Sequence, residues 1–136
     1  MTRIFHIVIL ILVAVSGAAV SYAADKKTPA VRFEETVHDF GNIKSSEQTL
    51  EHTFRFTNTG DAPLVIVTVS ASCGCTKPEF DPKPIAPGDS SEIKIRLTTR
   101  GIKGEFDKRA TVRTNIKGKD RKVLLTLKGL VIPSAD

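Results

Sequence analysis

The sequence predicts an all-β chain, an immunoglobulin-like β-sandwich of about seven strands spanning residues 31–132. Three observations carry that reading. From Val31 onward apolar residues recur with a period of two rather than 3.6. Short apolar runs are separated by breaks marked with glycine or proline. Trp is absent and aromatics make up 6% of the chain, so the core must be built from Val, Ile, Leu and the Phe residues. The Cys…Trp…Cys spacing of antibody domains is missing, so the architecture is expected without that central disulfide.

The N-terminus reads as an address. Arg3 supplies a short basic start, Ile4 to Val15 is apolar apart from His6, and Ser21-Tyr22-Ala23 places small residues where a signal peptidase reads them. Residues 1–23 are therefore expected to be a signal peptide cleaved between Ala23 and Ala24. A spanning helix needs about 20 apolar residues, and the run from Ile4 to Val20 is shorter, so no stable membrane span should remain after cleavage. No cysteine stands near the cleavage point to carry a lipid. Residues 24–30 form a polar lead expected to be mobile, and residues 133–136 a C-terminal tail. Export places the protein in the periplasm or outside the cell.

The strands follow in order. Leu50, His52, Phe54 and Phe56 alternate with Glu51, Thr53, Arg55 and Thr57, which is a strand with one face inward. Asn58-Thr59-Gly60-Asp61 closes it with turn chemistry, a turn expected to need a positive φ, which Gly and Asn tolerate. Leu64 to Val69 is nearly continuous apolar sequence, as expected of a central strand covered on both faces. Pro78, Pro82, Pro84 and Pro87 make an irregular extended passage that no helix can cross. It ends at Pro87-Gly88, a turn before the alternating strand Ile93, Ile95, Leu97. Phe106, Ala110 and Val112 mark the next strand, with Lys108 falling on its inward side. Val123, Leu125, Leu127 and Val131 mark the last, with Gly129 as its expected bulge.

Charge narrows the function. The formal net charge is +5, but residues 24–90 hold 7 Lys/Arg against 10 Asp/Glu, while residues 91–136 hold 12 against 5. The densest basic stretch, Arg113, Lys117, Lys119, Arg121 and Lys122, surrounds an expected turn at Asn115-Ile116-Lys117-Gly118. It reads as a solvated hairpin tip whose lysines discourage edge pairing, with attraction of an envelope polyanion as the alternative. No aromatic residue interleaves with it and the protein leaves the cytoplasm, so nucleic acid is not an expected partner.

The chemistry-bearing motif is Ser72-Cys73-Gly74-Cys75-Thr76, which holds both cysteines of the chain. Three readings stand. The first is a reversible disulfide. Residues two apart in a strand lie roughly 6.6 Å apart. A disulfide needs β-carbons near 3.8 Å, so the backbone must bend, and Gly74 permits it. The closed loop is so small that the entropic gain is only about 1.6 kcal/mol, which suits a redox couple better than a clamp. Lys77 is near enough in sequence to lower a thiolate pKa. The second reading is a soft metal such as Cu(I) held by Cys73 and Cys75; His38 and His52 are the other nitrogen ligands of the mature chain, and the set is incomplete on paper. The third is packing of two small apolar thiols. His52 shares the phase of Phe54 and Phe56 and reads as a half-buried core histidine. His38 reads as a structural hydrogen-bonding group at a strand-to-turn corner, with Phe40 of Asp39-Phe40-Gly41 buried as its anchor.

No hydrolytic constellation is present: no Gly-x-Ser-x-Gly, no His-Glu-x-x-His and no glycine-rich phosphate loop. Glu34 and Glu35, adjacent in a strand, would point to opposite faces and could not work as a pair. No catalytic residues and no cofactor are expected.

Four motifs in order then carry a resemblance: His38-Asp39-Phe40-Gly41-Asn42-Ile43, Phe54-Arg55-Phe56-Thr57-Asn58-Thr59-Gly60, Cys73-Gly74-Cys75-Thr76 and Ile85-Ala86-Pro87-Gly88. Over residues 33–130 the chain resembles the exported bacterial family catalogued as domain of unknown function 1573. The resemblance implies an immunoglobulin-like sandwich similar to major sperm protein and pilus-chaperone-type domains, and implies no established activity. The Cys-Gly-Cys-Thr belongs to the family pattern without a role attached. The expected function is that of an exported, non-enzymatic binding or scaffold module of the bacterial cell envelope, holding a protein partner by strand edges or loops. The alternative is a thiol–disulfide or copper-handling protein acting through Cys73 and Cys75.

Overall fold

The computed structural model describes residues 26–134. The expected signal peptide over 1–23 and its cleavage point between Ala23 and Ala24 lie outside the described residues. Eight strands follow in order: β1 (Val31–Phe33), β2 (Val37–Lys44), β3 (Thr49–Asn58), β4 (Ile66–Ala71), β5 (Thr76–Phe80), β6 (Ser90–Thr98), β7 (Gly104–Thr114) and β8 (Lys122–Ile132). They form two four-stranded sheets, β1-β3-β6-β5 and β2-β8-β7-β4. All pairings are antiparallel except β2 with β8. The fold is the immunoglobulin-like sandwich.

Alternation builds the core. The first sheet turns Phe54, Phe56, Ile93, Ile95 and Leu97 inward, and the second turns Ile66, Val112, Leu125 and Leu127 onto them, each with 2% or less of its surface exposed. Each such side chain contributes about 1.5–3 kcal/mol of burial free energy. Lys108 keeps the inward phase of β7 without being fully buried, level with Leu127 and, across β8, with His38.

Several sequence expectations are corrected. The apolar run Leu64 to Val69 does not form a central strand covered on both faces. Leu64 joins Ile85 by an isolated bridge, and the run continues into β4, the edge of its sheet, where Val67 and Thr68 are exposed. The proline-rich passage begins as a strand: Pro78 lies in β5, whose outer side is a sheet edge, where a residue without an N–H is tolerated. The bulge belongs to β2 rather than to Gly129. The β2–β8 register slips between Asp39 and Asn42, and Gly41 takes φ +69° there with its N–H bonded to Asp39 Oδ1 at 2.8 Å. Phe40 is consequently half-buried within a strand, not a buried corner. Glu34 and Glu35 lie in the β1–β2 connection and not in a strand.

Gly60 has no positive φ. It is needed because the chain preceding β1 crosses it: a Cβ at this position would lie 2.4 Å from Thr28 O and 2.5 Å from Ala30 N. The lead is thus fixed from Thr28 onward. Asp61 N–H donates to Thr28 O and Thr59 N–H to Ala30 O, each at 3.0 Å. Gly88 does take φ +84°, as the third position of a type II turn requires, in a turn closed by the Asp89 N–H on Ala86 O at 3.0 Å with Pro87 at its favoured second position. The β7–β8 connection turns at Gly118 and runs through a 3-10 segment, Gly118–Arg121.

Candidate functional site

Cys73 and Cys75 lie in the tight turn between β4 and β5, and their sulfurs are bonded to each other. The Cα atoms are 5.3 Å apart, closer than the roughly 6.6 Å of an extended strand. Thr76 N–H donates to Cys73 O at 3.3 Å, Thr98 N–H to Cys75 O at 2.8 Å and Ser72 N–H to Arg109 O at 3.0 Å, so the turn is tied to β6 and β7. The buried Thr76 places its Oγ1 3.6 Å from the Cys73 sulfur and 3.8 Å from that of Cys75. Cys75 also packs on the core, while Gly74 faces open space. In this bonded state neither sulfur is a thiolate, the species that attacks or ligates, so nucleophilic or copper chemistry would have to begin with reduction.

The histidines gather elsewhere. His38 from β2 and His52 from β3 stack with ring centroids 3.6 Å apart and planes 10° from parallel. Glu35 completes the group: its Oε1 bonds His52 Nε2 and lies 3.8 Å from His38 Nδ1. Phe40 and Phe54 meet the rings edge-on, with centroids 4.6 Å from His38 and 4.7 Å from His52. The side chains of His52 and His38 are 19% and 29% exposed, against 45% for Glu35, so the cluster has an apolar floor and one solvent-facing acid. Burial and the neighbouring His52 ring lower the His38 pKa, against the smaller opposing pull of Glu35 and Asp39.

Among the described residues, Glu35, His38 and His52 are the one group of three or more His, Cys, Asp or Glu close enough to share an ion. Neither cysteine belongs to it. β2 and β4 are opposite edges of the same sheet, three strand spacings apart, which puts the Cys-Gly-Cys turn at the far side, roughly 14 Å away. Sequence reading placed His52 correctly as half-buried but missed the cluster. The signal was the shared inward phase of His38 and His52; what it lacked was the assignment of β2 and β3 to different sheets.

The sheet edges differ in protection. β5 carries Lys77, Pro78 and Glu79, the residues that blunt an edge. β4 carries Ile66-Val67-Thr68-Val69-Ser70-Ala71, with no charge and no proline, and Val67 is 48% exposed. The basic residues Arg113, Lys117, Lys119, Arg121 and Lys122 are all exposed at the β7–β8 tip.

Solved structures share the architecture. A protein of unknown function from Porphyromonas gingivalis W83 aligns with TM-score 0.67 at 17% identity, covering 81% of this chain and 51% of its own. The PapD-like domain 7 of human CEP192 aligns with TM-score 0.58 at 12% identity, covering 79% of this chain and 89% of its own. The E. coli chaperone DraB aligns with TM-score 0.51 at 15% identity, covering 79% and 57%. The chain thus spans about half the length of the P. gingivalis protein and of DraB. No curated protein matches the sequence. Residues 31–131 match the family described as protein of unknown function (DUF1573), and the chain belongs to that family.

Proposed function

We propose that this sandwich is an exported, non-enzymatic binding module of the bacterial cell envelope, acting in the periplasm or outside the cell. Its partner is an extended segment of an envelope protein, added as a further strand along the free edge of β4. The observation that carries the reading is the contrast between edges: β5 is protected by Lys77, Pro78 and Glu79, whereas β4 offers an uncharged, β-branched, proline-free edge. Such an edge is a template for strand addition, with main-chain hydrogen bonds supplying affinity and alternate side chains supplying selectivity. The E. coli chaperone DraB shares the fold, which is compatible with a binding role.

The test is capture of envelope proteins by the mature domain, compared with Val67→Lys and Ser70→Lys, two exposed β4 positions. Lysine on the edge should abolish capture while leaving the melting temperature unchanged. Capture that persists through both substitutions overturns the reading. Replacing Cys73 and Cys75 with serine should leave capture intact; if capture then fails, the thiol–disulfide or copper-handling alternative takes its place.

A further inference from the structure

We propose that Glu35, His38 and His52 form a binding site for a divalent first-row transition metal, with Zn²⁺ the ion their geometry fits. The donor set points to the metal class. Two imidazole nitrogens with one carboxylate suit zinc, copper, nickel and iron, whereas calcium and magnesium take oxygen ligands throughout. The absence of sulfur from the group argues against Cu(I).

The group is assembled but not closed: the two imidazole planes lie 10° from parallel with centroids 3.6 Å apart, so one ring has to tilt before both in-plane lone pairs meet one ion. The three ligand atoms lie within 4.8 Å of one another. Ligands about 2.1 Å from a tetrahedral zinc stand about 3.4 Å apart, so His38 Nδ1, now 3.8 Å from Glu35 Oε1, has to close on it slightly, while His52 Nε2 and that oxygen, now hydrogen-bonded, have to separate. Both histidines are carried by strands, and Phe40 and Phe54 meet their rings edge-on. The third ligand is the adjustable one, since the Glu35 side chain is half exposed while its backbone is pinned on both sides. Glu34 N–H donates to Arg55 O at 3.0 Å and Thr126 N–H to Thr36 O at 2.8 Å. Asp39 does not belong to the group, and its Oδ1 accepts the Gly41 N–H at 2.8 Å. Water would take the remaining position.

Binding exchanges protons for metal. Ligation needs both imidazoles neutral and the carboxylate ionised, and the metal would replace the hydrogen bond between His52 Nε2 and Glu35 Oε1. The site lies apart from the β4 edge, so it is independent of strand addition there.

The experiment is a Zn²⁺ titration of the chelator-treated mature protein by calorimetry, with imidazole ¹⁵N resonances followed in parallel. One ion per chain should bind, with the His38 and His52 nitrogens moving together. His38→Ala, His52→Ala and Glu35→Gln should each weaken binding by more than the about 10- to 100-fold that loss of an outer-sphere partner costs. The Cys73→Ser/Cys75→Ser variant should bind as the wild type does, and Mg²⁺ should not compete. Unmoved His38 and His52 nitrogens at saturating Zn²⁺, or wild-type affinity in Glu35→Gln and His38→Ala, would overturn the proposal. The resonance reading is made on the unaltered protein, so it holds even if His52→Ala fails to fold.

Discussion

His38 and His52 face each other ring to ring, 3.6 Å between centroids, although each comes from a different sheet. The contact closes one edge of the sandwich, and two stacked imidazoles cannot both be charged without repulsion.

That contact makes the metal-free protein sensitive to acid. The His38 pKa is lowered, first by burial and then by His52, while Glu35 and Asp39 pull the other way; Lys108 sits level with it across β8. The folded state therefore binds this proton less readily than the unfolded chain, whose imidazole titrates near 6.5. The sign follows: the contribution is whole above pH 6.5 and is lost as pH falls from there through the folded-state value. Urea midpoints of the metal-free protein should fall more between pH 7 and pH 5.5 in the wild type than in His38→Gln. Parallel profiles would refute the assignment.

Asn58 should be the most sensitive polar position. It is fully buried, and its side chain serves three segments: Nδ2 donates to Ala62 O at 2.8 Å and to Ile85 O at 2.9 Å, and Oδ1 accepts from Gly60 N–H at 3.0 Å and from Ala30 N–H at 3.5 Å. Its own backbone joins the Pro87-Gly88 turn, with Gly88 N–H on Asn58 O at 2.8 Å. Asn58→Ala strands buried backbone groups at about 1–3 kcal/mol each, so a total loss of at least about 3 kcal/mol is expected by denaturant titration. Asn58→Asp should be no better, since it removes both donors and buries a charge.

The Cys73–Cys75 bond should matter little to stability. Its loop closes over one intervening residue, so the entropic gain is at most about 1.6 kcal/mol. Reduction, or the double serine variant, should lower the melting temperature by only a few degrees. A collapse of the fold on reduction would show that the turn, with its ties to β6 and β7, depends on the bond.

Why the fold was legible and the histidine cluster was not has a physical reason. Period-two alternation at Phe54, Phe56, Ile93, Ile95 and Leu97 is a local signal, and burial follows it directly. Whether Leu64 to Val69 is central or at an edge depends on strand order, which alternation does not encode, and there the run lies at an edge. Gly60 shows the same limit. Its glycine was visible, but the cause is the backbone of Thr28 to Ala30 crossing it, some thirty residues away in sequence. The Glu35, His38 and His52 group needs the same long-range information.

Gly129, too, is set by a neighbour distant in sequence. This residue was expected to mark a bulge, yet it pairs in register with Phe106, and a Cβ there would lie 2.9 Å from Phe106 Cζ and 3.1 Å from Gly41 O. Its missing side chain is the space the Phe106 ring fills. Gly129→Ala should therefore cost about 1–3 kcal/mol through overpacking. Phe106→Leu, which shortens the clashing group, should cost stability by itself but relieve much of the Gly129→Ala penalty. The double-mutant cycle should then show a favourable coupling of about 0.5–3 kcal/mol. The Gly41 carbonyl does not move with Phe106, so rescue should be incomplete. Strict additivity would mean that the β2 bulge at Gly41, not the aromatic ring, is what excludes a side chain at 129.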